Sequence, residues 1–130
     1  MAAVCVEKSY RYGEVLRRNF QLAGFPSETL QLRVQDVFTA IKQLAATREK
    51  FQLILADPPY GEKNIGRRSN SLAQQLLDDV RLPVLLAAGG LLVLGHARRD
   101  SLTVPDAWRE KKVLKHGDSI MRFLGVSLNR

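Results

Sequence analysis

Residues 51–57 read Phe-Gln-Leu-Ile-Leu-Ala-Asp, a short apolar run closed by a carboxylate and then by Pro58-Pro59. The same device, an apolar run closed by an acid, occurs twice earlier. Residues 2–7 read Ala-Ala-Val-Cys-Val-Glu, a continuous apolar run ending in Glu7 that suits a strand covered on both faces. Residues 30–34, Leu-Gln-Leu-Arg-Val, alternate strictly and lead to Asp36, as a strand near a sheet edge would. Between these runs the period changes to that of a helix. Tyr12, Val15, Leu16, Phe20 and Ala23 form one stripe within 10–23, stopped by Gly24 and Pro26. Val37, Ile41, Leu44 and Ala45 form another, for which Asp36 is placed as N-cap. Alternating strands and helices of this kind define a doubly wound, mostly parallel α/β sheet.

The remainder continues the pattern and then breaks it. A polar, basic loop rich in Gly, Asn and Ser follows at 61–71, a composition that suggests mobility. A helix is expected over Leu72–Val80, a second helical segment from Pro83, and a turn plus buried strand over 89–96. Two strands, 110–115 and 119–126, flank His116-Gly117-Asp118, and so short a turn requires an antiparallel pair. At 130 residues the chain is sized for a single domain, 1–130, with no internal repeat, low-complexity tract or linker.

No apolar run approaches the roughly 20 residues of a membrane span, and the start does not read as a signal peptide. One cysteine, Cys5, cannot build a disulfide framework, so a reducing cytoplasm is the expected compartment and a small core residue its expected role. Net charge is +7, and the excess lies late: 12 basic against 7 acidic residues from Pro58 onward, against 8 and 6 before it. A basic surface of this kind suits a polyanion, because neutralised phosphates release counterions. Lys63, Arg67, Arg68, Arg98 and Arg99 are the candidate RNA-binding residues. His96 and His116 lack partners at metal-ligand spacing and are expected to be ordinary strand-end residues, with no metal site. Asp78-Asp79 reads as a solvated helix face, and Trp108 as an anchor for the last strands.

In open α/β sheets, ligands bind beyond the carboxyl ends of the strands, where Glu7, Asp36 and Asp57 all fall. The Asp57-Pro58-Pro59-Tyr60 turn is chemically specific. Proline lacks an N–H and holds the preceding residue extended, so the turn offers carbonyl acceptors and the Asp57 carboxylate without competing donors. Such a cluster complements a ring amine with two N–H donors, and Tyr60 offers a ring face for stacking, acting through that face and not its hydroxyl. Gly61 is expected to let the ring approach the backbone. Acceptors on both amino hydrogens turn the nitrogen toward tetrahedral geometry and free its lone pair, and in-line positioning of an electrophile can supply about 7–11 kcal/mol of a barrier.

This motif resembles the catalytic signature of S-adenosyl-L-methionine-dependent amino methyltransferases acting on nucleic-acid bases. The segment "GGLLVLGHARRD" with "KKVLKHGDSIMRFLGV" resembles the tail of the bacterial small-subunit ribosomal RNA guanine-N2 methyltransferases, a class I, Rossmann-like family. The resemblance implies transfer of a methyl group to the exocyclic N2 amine of a guanine in 16S ribosomal RNA, on naked RNA or a small ribosomal subunit. It assigns the cofactor ribose to Glu7, the adenine amino group to Asp36, the adenine ring to the backbone beside Val37, and catalysis to Asp57, Pro58, Pro59 and Tyr60. Adenine-N6 methylation of DNA or RNA is the alternative within the class, since the acceptors suit either amine. A non-catalytic nucleic-acid-binding remnant is the alternative outside it.

Two features depart from that family. It often has an acid where Gly95 stands. It also begins with a basic extension, a first strand and a glycine-rich loop of roughly 30 residues, none of which precedes Glu7 here. In that fold the first strand lies between the runs at 2–7 and 51–56. The expectation is therefore a gene fragment, or a slot filled by a partner chain or closed up. The 130-residue chain alone is then expected to bind S-adenosyl-L-methionine weakly, because the backbone donors that hold the methionine end are missing. Calorimetry on this chain, beside a version extended upstream, measures it; tight binding by the short chain overturns the expectation.

Overall fold

The computed structural model describes residues 3–127, so Ala2, counted above in the first strand, lies outside them. The chain divides into two compact units, Met1–Thr47 and Arg48–Arg130.

In the first unit β1 (Ala3–Glu7) and β2 (Leu30–Val34) pair in parallel, Ala3 opposite Leu30 and Glu7 opposite Val34. They are joined through α1 (Tyr10–Leu22), and α2 (Val37–Ala46) follows β2. The Ser9 hydroxyl caps α1 by accepting from the Tyr12 N–H at 3.2 Å, and Gly24, at φ +80°, supplies the left-handed residue after its end. The apolar stripe expected on α1 is not its buried face: Tyr12 and Val15 are exposed, and Gly13 is the buried residue. Gly13 lets α1 approach β2 closely, since a Cβ there would lie 2.8 Å from Val34 Cγ2. On α2 the expected stripe holds, with Ala40, Ile41 and Leu44 buried. Cys5 is only partly buried, and burial followed by the neighbouring Glu7 charge raises its thiol pKa, leaving it a poor nucleophile.

In the second unit the strand order is β3 (Phe51–Ala56), β4 (Leu86–Ala97), β6 (Ser119–Val126), β5 (Trp108–His116). β3 and β4 run parallel, and β6 lies antiparallel between β4 and β5. The antiparallel tail is thus as expected, two residues longer at the start of β5. β4 starts at Leu86, three residues earlier than read, because Gly89-Gly90 is not a turn before the strand but an irregularity within it. Gly89 takes φ +74°, the register slips between Phe51 and Leu53, and a Cβ on Gly90 would lie 2.8 Å from the Ala87 carbonyl oxygen. Pro83–Leu85 forms a short 3-10 turn, and α3 spans Leu72–Asp78. Asp78 and Asp79 are not a free solvated face. Asp78 accepts two bonds from Arg68, at 2.6 and 2.8 Å, which lower its pKa; burial acts to raise that of Asp79, and the bonds from Arg81 outweigh it.

The core of this unit is a row of leucines, Leu76 and Leu77 from α3, Leu92 and Leu94 from β4 and Leu124 from β6, with Trp108 buried beside them. The Trp108 indole N–H donates to the Leu77 carbonyl at 2.9 Å, an anchor and not a stacking surface. Alternation carries His96 into the buried row after Leu92 and Leu94. Its Nδ1 lies 2.9 Å from the Ala97 carbonyl oxygen and its Nε2 accepts from Arg122 Nε at 2.9 Å, while Arg122 also donates to Glu110 at 2.8 Å. Both bonds are made by the neutral ring with its proton on Nδ1.

The two edges of this sheet differ. β5 carries Arg109, Lys111, Lys112 and Lys115, charges that discourage further pairing. β3 carries apolar side chains, yet Leu53 is 53 % and Leu55 72 % exposed, so this apolar run is half open. Among the described residues β3 has one ladder neighbour, β4, and β1 has one, β2.

Burial holds the His96 pKa below its ordinary 6.5. The unfolded chain therefore takes up the proton first, and the stability held above about pH 6.5 is lost as pH falls below it. Urea midpoints from pH 7.5 to 5.5 check this, above the range in which Asp78 and Asp79 titrate: the midpoint falls toward acid in the wild type and stays flatter in His96→Gln. A wild-type midpoint that rises toward pH 5.5 contradicts it.

Candidate active site

In the first unit the parallel register sets the ends of β1 and β2 side by side. Glu7 Oε2 accepts from the Ser9 N–H at 2.8 Å, and the Gln35 N–H donates to the Glu7 carbonyl at 3.1 Å. Asp36 caps α2 as expected, its Oδ2 accepting from Phe38 and Thr39 at 3.0 and 3.3 Å, and Val37 opens the helix. Each carboxylate therefore keeps one oxygen without a bonded partner among the described residues.

In the second unit the Asp57-Pro58-Pro59-Tyr60 turn follows β3 directly. The Asp57 side chain is exposed and lies over the Gly95 Cα on β4, where a Cβ would come 2.9 Å from Asp57 Oδ1. Gly95, the departure noted above, is therefore the space in which this carboxylate sits. Tyr60 is 48 % exposed, and its hydroxyl lies 2.5 Å from Ser119 Oγ at the start of β6. Gly61 is required by packing: a Cβ there would lie 2.4 Å from Ser71 Cβ and 2.9 Å from Asp100 Oδ2.

The loop 61–71, expected to be mobile, is tied down. Asn64 donates to the Ser101 carbonyl at 3.0 Å and accepts from the Ser101 N–H at 2.8 Å. Ser69 Oγ donates to the buried Asp100 carboxylate at 2.5 Å, and Ser71 caps α3 through the Gln74 N–H. Gln74 repeats the two-way arrangement with Thr103, at 2.8 Å in each direction. The polar residues that looked like solvated loop composition are the buried fasteners, Asn64, Ser69 and Ser71 among them.

The candidate RNA-binding residues are all exposed but not equivalent. Lys63 and Arg67 have no ion pair among the described residues, whereas Arg68 is committed to Asp78. Arg98 donates to the Gly117 carbonyl at 3.4 Å, and Arg99 Nε donates to the Gly61 carbonyl at 2.9 Å, which ties the segment after β4 to the turn. Sequence reasoning missed Asn64, Asp100 and Ser119, since each draws its meaning from a partner at least 31 positions away. No His, Cys, Asp and Glu cluster able to hold a metal occurs among the described residues.

These ladders belong to the Rossmann-like α/β class, and solved structures share the fold. A Thermus thermophilus protein described as hypothetical superposes with a TM-score of 0.73 at 22 % identity, over 96 % of this chain and 63 % of that one. A proposed methylase of Haemophilus influenzae gives 0.72 at 18 %, over 97 % and 73 %. A proposed methyltransferase solved as a complex with SAH gives 0.71 at 14 %, over 97 % and 39 %. The chain thus spans less than two thirds of the Thermus protein's length. No functionally curated protein matches it in sequence. The chain belongs to the family described as conserved hypothetical protein 95, whose profile matches residues 1–125.

The two glycines separate stability from placement. Gly61→Ala meets the Ser71 side chain and is expected to cost about 1–3 kcal/mol, as overpacking does. Gly95→Ala meets only the mobile end of Asp57, so the unfolding midpoint stays near wild type while the carboxylate moves. Denaturant unfolding of both variants, with a crystal structure of Gly95→Ala, checks this. Equal destabilisation by the two would contradict it.

Proposed function

We propose that this chain carries the base-binding and adenosine-binding parts of an S-adenosyl-L-methionine-dependent methyltransferase whose target is the exocyclic N2 amine of a guanine in small-subunit ribosomal RNA. The observation that carries the reading is the exposed Asp57 carboxylate seated over Gly95, at the carboxyl end of β3, in the same turn as the half-exposed Tyr60. The donor set fits the cofactor: Glu7 and Asp36 each retain a carboxylate oxygen, an acceptor suited to ribose hydroxyls and to an adenine amino group respectively. When bound, the cofactor supplies an electrophilic sulfonium methyl group. Asp57 and the carbonyl groups of the double-proline turn accept the two amino hydrogens, and Tyr60 offers its ring to the base. Asp57 is also placed to take the proton that the amine sheds. Two of the fold relatives, described as a proposed methylase and a proposed methyltransferase, support the same chemistry.

Among the described residues β3 pairs with β4 alone, and its exposed Leu53 and Leu55 support a further strand-bearing segment, in the same polypeptide or a partner chain, as the source of the methionine contacts. Adenine N6 is the second reading, because the acceptors do not distinguish the two amines.

Methyl transfer to a guanine-containing ribosomal RNA fragment tests the assignment, with inosine (which lacks the 2-amino group) or adenine replacing the target guanine, and with the upstream-extended protein beside the 130-residue chain. Transfer to guanine and none to inosine is expected; transfer only to adenine moves the assignment to N6. Salt-sensitive RNA binding without cofactor binding in either version favours the non-catalytic module. In the active version Asp57→Ala is expected to lose about 2–4 kcal/mol of transition-state stabilisation, comparable with removing an oxyanion-hole donor. Near-normal turnover by a folded Asp57→Ala protein would defeat the mechanism.

A further inference from the structure

The geometry points to Ser119 as a positioning residue that fixes the plane of the Tyr60 ring for stacking on an unpaired nucleobase. The inference rests on the base-binding role proposed above for the double-proline turn and adds the part that aims it. Tyr60 follows two prolines, neither of which has an N–H to tie the turn to a neighbour. Its ring is half exposed, so burial alone does not select its orientation. What restrains it is the hydroxyl, held at 2.5 Å by Ser119 Oγ, 59 positions along the chain.

Ser119 is itself held on both sides. It opens β6 and pairs with Ala97 of β4 and with His116 of β5. The turn leading into it is set by Gly117 at φ +58° and by the Arg98 N–H donating to the Asp118 carbonyl at 2.7 Å. A side chain tied at its Cα by the chain and at its far end by a strand has few rotamers left, and a face already oriented gives up less freedom on binding. Phenylalanine would offer the same ring without the tie. The Tyr60 hydroxyl, which sequence reasoning had set aside, is thereby given a role at this half-exposed position.

The test is binding of a short, labelled, guanosine-containing single-stranded oligoribonucleotide to the 130-residue chain, followed by anisotropy at low salt. An all-abasic ribose-phosphate strand of equal length serves as the control. Ser119→Ala and Tyr60→Phe are each expected to weaken binding roughly three- to tenfold, the range for losing one hydrogen bond. Their double variant should be no weaker than either, since both remove the same bond. Ser119→Thr, which keeps the hydroxyl, should restore binding, and Tyr60→Ala should lose at least as much as Tyr60→Phe. On the abasic strand Ser119→Ala and wild type should bind alike, which a merely structural role for Ser119 would not produce. Wild-type affinity in Ser119→Ala, fully additive losses, or an equal loss on the abasic strand would overturn the inference while leaving the base-binding reading intact. A wild-type chain that does not distinguish the base-bearing strand from the abasic one would overturn the base-binding reading, and this inference with it.

Discussion

The second unit depends on one buried carboxylate. Asp100 is 1 % exposed; one oxygen accepts from Ser69, and the other has no hydrogen-bond partner among the described residues and faces Gly61. Burying such a group is costly unless it is bonded, so its retention marks a place where the fold gives up stability for geometry. What it secures is the junction between the turn after β3 and the segment after β4. Ser69, Ser71 and Gly61 crowd around it, Asn64 grips Ser101 next door, and Arg99 reaches back to the Gly61 carbonyl. The double-proline turn is thus held from outside, as it must be, because prolines cannot hold themselves by donating.

The same unit handles charge and apolar surface unevenly. Its β5 edge is lined with cations, and its β3 strand is apolar and half open. Lysines on an edge strand oppose pairing by other chains, whereas an apolar strand with an open ladder invites it. Sequence alone does not reveal this half-open state of β3, because period and composition report what a strand is made of, not which neighbours cover it.

Much of the fold was legible, because hydrophobic period, caps and breakers are local signals. Strand and helix order, Asp36 as a cap, and the antiparallel tail around Gly117 all follow from neighbours within a few positions. Misreadings occurred where a residue's meaning comes from afar. Gly13 is buried on Val34, Gly89-Gly90 disturbs a strand that it was expected to precede, and the polar 61–71 segment is fastened by partners after β4. For the candidate site, the sequence pointed to the turn and its acids, since double proline and terminal carboxylates carry their chemistry with them. It did not reveal that Gly95 makes room for Asp57 or that Ser119 holds Tyr60, because both relations exist only once β4 and β6 have paired.

That last dependence concerns time as well as space. The contacts that shape the turn at 57–61 come from residues 95–100 and 119, so local folding of β3 cannot establish them. Closing such distant contacts requires long loops to be ordered first, which slows assembly. During synthesis the turn would leave the ribosome well before Ser119 is made, and its acceptors would stay unshaped until β6 docks beside β4. The geometry of this turn is thus among the last features the unit acquires, and an incompletely synthesised chain would expose the acidic turn without shaping it.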